Sequence, residues 1–198
     1  MINNQSENTM EANQNLEIYV QPTPNPNALK FILNRPLKTE GKSTYFKPSD
    51  CQGNPLATKL FTLPGVTQVH FFQNVATITK NPMEEWDIVE AAVRECLQNN
   101  MQAHDPNYHD PDPEAERRKN LPAEILQIEE ILDRTIRPGL QGDGGDLVIL
   151  SFEDHVLLVK YQGACGTCPS STAGTLQAIQ GILQEQFDPE IQVFTQPA

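Results

Sequence analysis

Residues 147–187 read LVILSFEDHVLLVKYQGACGTCPSSTAGTLQAIQGILQEQF. LVILSF and VLLVKYQ are aliphatic, β-branched runs of strand length, and Glu153 to His155 between them has turn chemistry. Gly163-Ala164-Cys165-Gly166-Thr167-Cys168-Pro169 follows the second run directly. Leu176, Ile179, Leu183 and Phe187 then recur at the spacing of an amphipathic helix. A hairpin feeding a cysteine turn and then a helix specifies a small α+β unit.

Working outward, Leu121, Ile125, Ile128, Leu132 and Ile136 predict a preceding helix, with Asn120 as its cap, Arg134 and Arg137 in its last turn and Pro138-Gly139 as its end. Gly142 to Asp146, GDGGD, is too glycine-rich for regular structure, and IQVF near the end predicts a last short strand. The order αββαβ thus fills residues 120–198. Upstream, residues 101–119 carry three Asp-Pro steps and no apolar periodicity, which predicts a flexible acidic and proline-rich linker. Residues 17–100 form a second unit. LEIYVQ and ALKFIL alternate at a two-residue period around the PTPNPN turn. Leu56, Leu60 and Leu63 mark a short helix, VTQVHFF and VATITK a hairpin, and Trp86, Val89, Val93, Cys96 and Leu97 a second helix. The expected fold class is therefore α+β, two small domains of order ββαββα and αββαβ.

Charge narrows the function classes. Across 198 residues, 26 acids face 14 Lys and Arg, for a net charge of -12 and a pI near 4.7. No basic face is available to neutralise a phosphate backbone, so nucleic acid is not an expected partner. No apolar run reaches the roughly 18 residues of a membrane span, so no membrane is expected either. Residues 1–16 contain no Lys or Arg and lack an apolar core, which fits neither a secretory signal nor a transit peptide. A disordered tail and a cytoplasmic protein are the expectations. The acidity is concentrated: residues 120–198 hold eleven acids but only Arg134, Arg137 and Lys160 as bases.

The four cysteines are Cys51, Cys96, Cys165 and Cys168. Only the last two are spaced to converge on one centre, because the two intervening residues make a single turn. The small neighbours Gly163, Ala164, Gly166 and Thr167 admit a bulky group close to the backbone. The position before a helix start favours the thiolate, and placement at a sheet rim leads one to expect both thiols exposed. Structural zinc wants two further ligands, which no nearby Cys or His spacing offers. A thioredoxin-like dithiol wants more βα structure after its motif than the one helix and short strand left here. A surface turn with two idle thiols would be an oxidation liability. An iron-sulfur cluster needs four thiolates, which two copies of the chain would provide.

The residues also resemble a known family. Arg137-Pro138-Gly139-Leu140-Gln141-Gly142-Asp143-Gly144-Gly145-Asp146 and Gly163 to Ser171 are similar to the R-P-x-L-x-x-D-G-G-D and G-x-C-x-x-C-P-S-S segments of the NifU-like domain of Nfu-type iron-sulfur scaffold and carrier proteins. Pro22 to Phe31 and Leu63-Pro64-Gly65-Val66 resemble the Nfu N-terminal domain. The resemblance implies that Cys165 and Cys168 bind a cluster, usually 4Fe-4S and sometimes 2Fe-2S, bridging two subunits as a homodimer. It implies receipt from upstream cluster assembly proteins and delivery to recipient apoproteins. No general acid, base or nucleophile set accompanies the thiols, so no enzymatic turnover is expected. A dithiol-disulfide oxidoreductase using the same pair is the alternative, and an interaction module centred on the N-terminal domain is a third.

Other candidates are weaker. Asp143 and Asp146 lack the alternating ligands of a calcium loop and are expected to cap a turn. Cys96 lies on the apolar face of its helix, Cys51 reads as a loop thiol, and His70, His104, His109 and His155 are scattered. PTPNPN hints at an interaction surface without defining one.

Overall fold

A computed structural model describes residues 15–110, 121–167 and 169–196, with main chain alone for 166–167 and 169–173. The expected tail up to residue 14, the second half of the expected linker, and the proposed cap Asn120 lie outside the described residues.

The α+β class holds, with two units. In the first, strands β1 (Ile18–Pro22), β2 (Ala28–Leu33), β3 (Lys42–Tyr45), β4 (Val66–Phe72) and β5 (Val75–Lys80) form an antiparallel sheet of order β1-β2-β5-β4-β3. Helices α1 (Pro55–Phe61) and α2 (Trp86–Asn100) cover one face. Phe31, Leu33, Val69, Phe71, Ala76 and Ile78 point at those helices and meet Leu56, Leu60, Val89, Val93 and Leu97 in one buried cluster. Register makes this a single face, since Phe31 pairs with Ala76 and Val69 with Ile78. A bulge between Val66 and Gln68 sends Val66 to that core while keeping Gln68 and His70 on the opposite face. Strand β3 was absent from the sequence expectation, because KSTY is only four residues long and has no apolar alternation.

Residues 101–110, expected to begin the linker, are instead strapped to this unit. Met101 is buried, His104 Nε2 lies 2.7 Å from the Leu37 carbonyl, and the Lys38 ammonium sits 4.1 Å from the Tyr108 ring centroid. The Tyr45 hydroxyl donates to Asp110 Oδ1 at 2.7 Å. The Asp-Pro steps signal an extended chain, but the aromatic and apolar residues spaced between them supply packing that the proline pattern conceals. Cys51 also departs from expectation: it is 2% exposed in the core, and burial pushes its thiol up to about 11.

The second unit has α3 (Ala123–Thr135), α4 (Arg137–Gly142), β6 (Gly145–Glu153), β7 (Val156–Gly163), α5 (Pro169–Gln186) and β8 (Gln192–Thr195). Strands run in the order β6-β7-β8, with β8 parallel to β7. Ile128, Leu132, Leu147, Leu157, Val159, Ile179, Leu183 and Ile191 form its core. Pro138 does not end the first helix into a loop. The helix stops at Thr135, and Pro138 sits in the first turn of the short α4, where its missing N–H costs nothing. The strand likewise claims Gly145 and Asp146 from the expected GDGGD loop.

Candidate functional site: the cysteine turn

Strand β7 ends at Gly163, a 3-10 turn occupies Ala164–Thr167, and α5 begins at Pro169. Cys165 therefore stands between strand and helix, as expected from the sequence, and Cys168 lies outside the described residues. Gly163 has φ +63°, and a Cβ there would fall 2.5 Å from the Gly144 carbonyl oxygen, so only glycine closes this corner. A Cβ on Gly145 would lie 2.4 Å from Cys165 Sγ. Strand β6 thus gives up a side chain to make room for the sulfur.

The expectation of exposed thiols does not hold for Cys165. It is 7% exposed and belongs to the core with Leu140, Leu147 and Tyr161. Burial, and then the proximity of Cys165, push the Tyr161 hydroxyl up to about 12. A thiol is suitable chemistry for a soft metal cargo, but in this arrangement its sulfur is turned into the protein.

What covers the turn is the far face of the first unit's sheet. Asn25 Nδ2 donates to the Ala164 carbonyl at 2.9 Å, and Gln68 Nε2 donates to the Gly163 carbonyl at 3.2 Å. Lys42 Nζ lies 2.8 Å from Asp146 Oδ2 and donates to the Leu147 carbonyl at 3.0 Å. Lys30 Nζ donates to the Gly142 carbonyl at 2.5 Å. A Cβ on Gly144 would meet Lys30 Cγ at 2.8 Å and Thr77 Oγ1 at 2.9 Å. At Gly144 the group that approaches the backbone closely is the N-terminal sheet itself.

Asn25 is aimed by its own loop. Its backbone N–H donates to Thr23 Oγ1 at 3.1 Å, its Oδ1 accepts from the Asn27 N–H at 2.9 Å, and Trp86 Nε1 braces the loop through the Pro26 carbonyl at 2.9 Å. The PTPNPN segment is thus a rigid presenter of one amide. Asp146, expected to cap a turn, is 1% exposed and also faces Arg137 Nε at 3.3 Å and Gln141 Nε2 at 3.1 Å. Burial alone would raise its pKa, but the Lys42 charge and hydrogen bond, together with hydrogen bonds from Gln141 and the Leu147 N–H, hold it below the usual carboxylate range. Arg137 pairs in addition with Glu129 and Asp133. Among the described residues, no cluster of three or more His, Cys, Asp or Glu is arranged to hold a metal ion.

Two family models match in chain order: "Scaffold protein Nfu/NifU N terminal" over residues 18–104 and "NifU-like domain" over 128–194. The human protein named "NFU1 iron-sulfur cluster scaffold homolog, mitochondrial" is 34% identical over 177 residues, covering 88% of this chain and 69% of the human one. This chain belongs to the Nfu/NifU family. A Drosophila ananassae relative of the same name is 32% identical over 182 residues, 90% of this chain and 63% of its own. The chain thus spans 63% of the length of that Nfu relative. A solved NifU-like protein from Saccharomyces cerevisiae is 25% identical, covers 50% of this chain and 90% of that one, and superposes with a TM-score of 0.43.

The Nfu relatives also correct one expectation. They are named mitochondrial, so the cytoplasmic assignment does not stand. It rested on the lack of Lys and Arg in residues 1–16, and that composition describes only the segment itself, not a compartment. Among the described residues, no helix is long and apolar enough to cross a membrane.

The sequence reading missed Gln68 as a partner of the cysteine turn and Lys30, Lys42 and Thr77 as partners of the adjoining 142–147 segment. The alternation in VATITK marks Thr77 and Thr79 as the face away from the helices, but nothing in a linear pattern says what lies against that face.

Proposed function

We propose that this chain is an iron-sulfur cluster carrier that takes a cluster as cargo on Cys165 and Cys168. Two copies supply the four thiolates that a 4Fe-4S or 2Fe-2S cluster requires. The chain receives the cargo from upstream assembly proteins and hands it to recipient apoproteins, acting without catalytic turnover. The observation that carries this reading is family membership in chain order, with a two-thiol motif at a strand-to-helix junction inside the matched NifU-like segment.

Shared ligation favours release. In each exchange an Fe–S bond to Cys165 or Cys168 is replaced by an Fe–S bond to a recipient cysteine; the recipient thiol gives up a proton, the released carrier thiolate regains one, and no electrons move. Anaerobic reconstitution with iron and sulfide, followed by metal analysis and sedimentation, tests the proposal. A coloured dimer with one cluster per two chains is expected. A colourless monomer that reduces insulin disulfides would replace it with the dithiol oxidoreductase.

A further inference from the structure

We propose that the N-terminal domain is a latch: its sheet clamps the cysteine turn with the Cys165 sulfur inward, and it must lift before that sulfur can meet anything outside the chain. The geometry of the latch stands independently of the cargo; that lifting serves loading rests on the carrier reading above.

Three observations converge. The first is that the contacts grip main chain at the positions next to the sulfur. Asn25 and Gln68 hold the carbonyls of Ala164 and Gly163, the two residues before Cys165. Lys30 and Lys42 hold the carbonyls of Gly142 and Leu147, on either side of the Gly144-Gly145 backbone behind which the sulfur sits. A turn whose two flanking carbonyls are held by donors from another domain, and whose backing segment is held by two more, cannot rotate its cysteine outward while they are in place.

The second is steric. Lys30 and Thr77 occupy the space over Gly144 to within 3 Å of where a Cβ would be. No second chain can approach the turn from that side while the sheet is docked.

The third is that the docked surface is built to separate. The far face of the sheet carries Gln68, His70, Thr77 and Thr79, each no more than 2% exposed. Among the described residues, Gln68 Oε1, Thr77 Oγ1 and Thr79 Oγ1 are buried there without a hydrogen-bond partner, as is Gln162 Oε1 on β7. Hydroxyl and amide groups placed this way regain partners in water when the domains part, which keeps the closed state close in energy to the open one. A permanent interface would be expected to present apolar side chains instead. Lys160, whose ammonium lies 4.4 Å from the Phe46 ring centroid, adds one cation–π contact across the docked surface that opening gives up.

The test uses the full chain without cargo, and reads the alkylation rate of Cys165 by peptide mass spectrometry with iodoacetamide at constant pH. Asn25→Asp keeps the Oδ1 that accepts from Asn27 and so preserves the loop, but turns an oxygen instead of a donor onto the Ala164 carbonyl. Asn25→Asp/Gln68→Glu does the same at both carbonyls. Loss of one net hydrogen bond shifts such an equilibrium about fivefold, so the double variant should label Cys165 roughly 25-fold faster, and Asn25→Asp alone about fivefold. Far-UV circular dichroism monitors the fold, and if the double variant unfolds, Asn25→Asp decides. Labelling at the wild-type rate, or slower, in a folded variant overturns the latch. The same samples are then reconstituted with iron and sulfide. Faster loading in the variants than in wild type is expected, whereas fast labelling with no loading in any sample leaves the latch standing and overturns the carrier reading.

Discussion

His70 makes the docked arrangement sensitive to acid. It sits on the far face of the N-terminal sheet, fully buried beneath the second unit, with Thr44 Oγ1 2.8 Å from its Nδ1. Burial, and then the positive charge of Lys42, lower its pKa from 6.5 to about 4, while Asp146 pulls weakly the other way. Above pH 6.5 the imidazole is neutral whether it is buried or hydrated, and the docked state has its full stability. As pH falls below 6.5, the hydrated imidazole takes up a proton that the buried one refuses, so stability declines until the buried ring also titrates near 4. The whole displacement of about 2.5 pH units corresponds to roughly 3 kcal/mol, of which about 2 kcal/mol is gone by pH 5.

Other titrating groups act in other windows. The pKa of Asp146 is lowered, so its contribution is present above its ordinary pKa of 3.8 and is lost only below that. The pKa of His155, exposed beside Asp188, is raised, so its contribution is complete below 6.5 and is lost at higher pH. Urea unfolding at pH 7 and pH 5, in wild type and in His70→Gln, isolates the His70 effect. The wild type should lose about 2 kcal/mol more than the variant between the two conditions. An NMR titration placing the His70 ring near 6.5 in the folded protein, or an unchanged pH slope in His70→Gln, would refute the reasoning.

Lys42→Met leaves Asp146 buried with one fewer cation, and we expect a loss of about 1–3 kcal/mol in urea unfolding, part of which Lys42→Met/Asp146→Asn restores. Gly145→Ala puts a methyl group 2.4 Å from Cys165 Sγ, so either the turn or the strand must shift; a cost of about 1–3 kcal/mol and a change in Cys165 alkylation rate are the expected readouts. Cys165→Ser or Cys168→Ser should abolish cluster assembly in anaerobic reconstitution, and a normal iron and sulfide load after either change would sink the carrier proposal. Cys51, with its thiol pushed up to about 11 inside the core, should resist alkylation in the folded protein and react only on unfolding.

The readable parts of this chain were those governed by local periodicity. Val69 and Phe71, Ala76 and Ile78, Val89 and Val93 fall on core-facing positions because a strand alternates every two residues and a helix repeats every 3.6. The pairing of the cysteine motif with a strand end and a helix start follows from the same local signals. Two kinds of information were not local. One was short-element chemistry: KSTY pairs as β3 because β4 offers an open edge, not because its four residues announce a strand. The other was the far side of each surface. The polar alternation of Gln68, His70, Thr77 and Thr79 reads as a solvated face, and only the tertiary arrangement shows it covered.

That covered face also changes the meaning of the charge asymmetry. Residues 120–198 carry eleven acids against three bases, which by itself predicts repulsion when two such domains approach one another. Docking within one chain sets two lysines of the N-terminal unit, Lys30 and Lys42, against the α4–β6 junction that carries Gly142 and Asp146. The local field at the cysteine turn is therefore less negative when the latch is closed than when it is open. Opening exposes the sulfur and leaves the Asp146 carboxylate beside it with Arg137 as its cation in place of Lys42 and Arg137 together. Added salt screens exposed charges more than buried pairs, so it should weaken repulsion between open copies while leaving the buried Lys42–Asp146 contact nearly intact. Pairing of open chains should accordingly rise with ionic strength even where the latch equilibrium hardly moves.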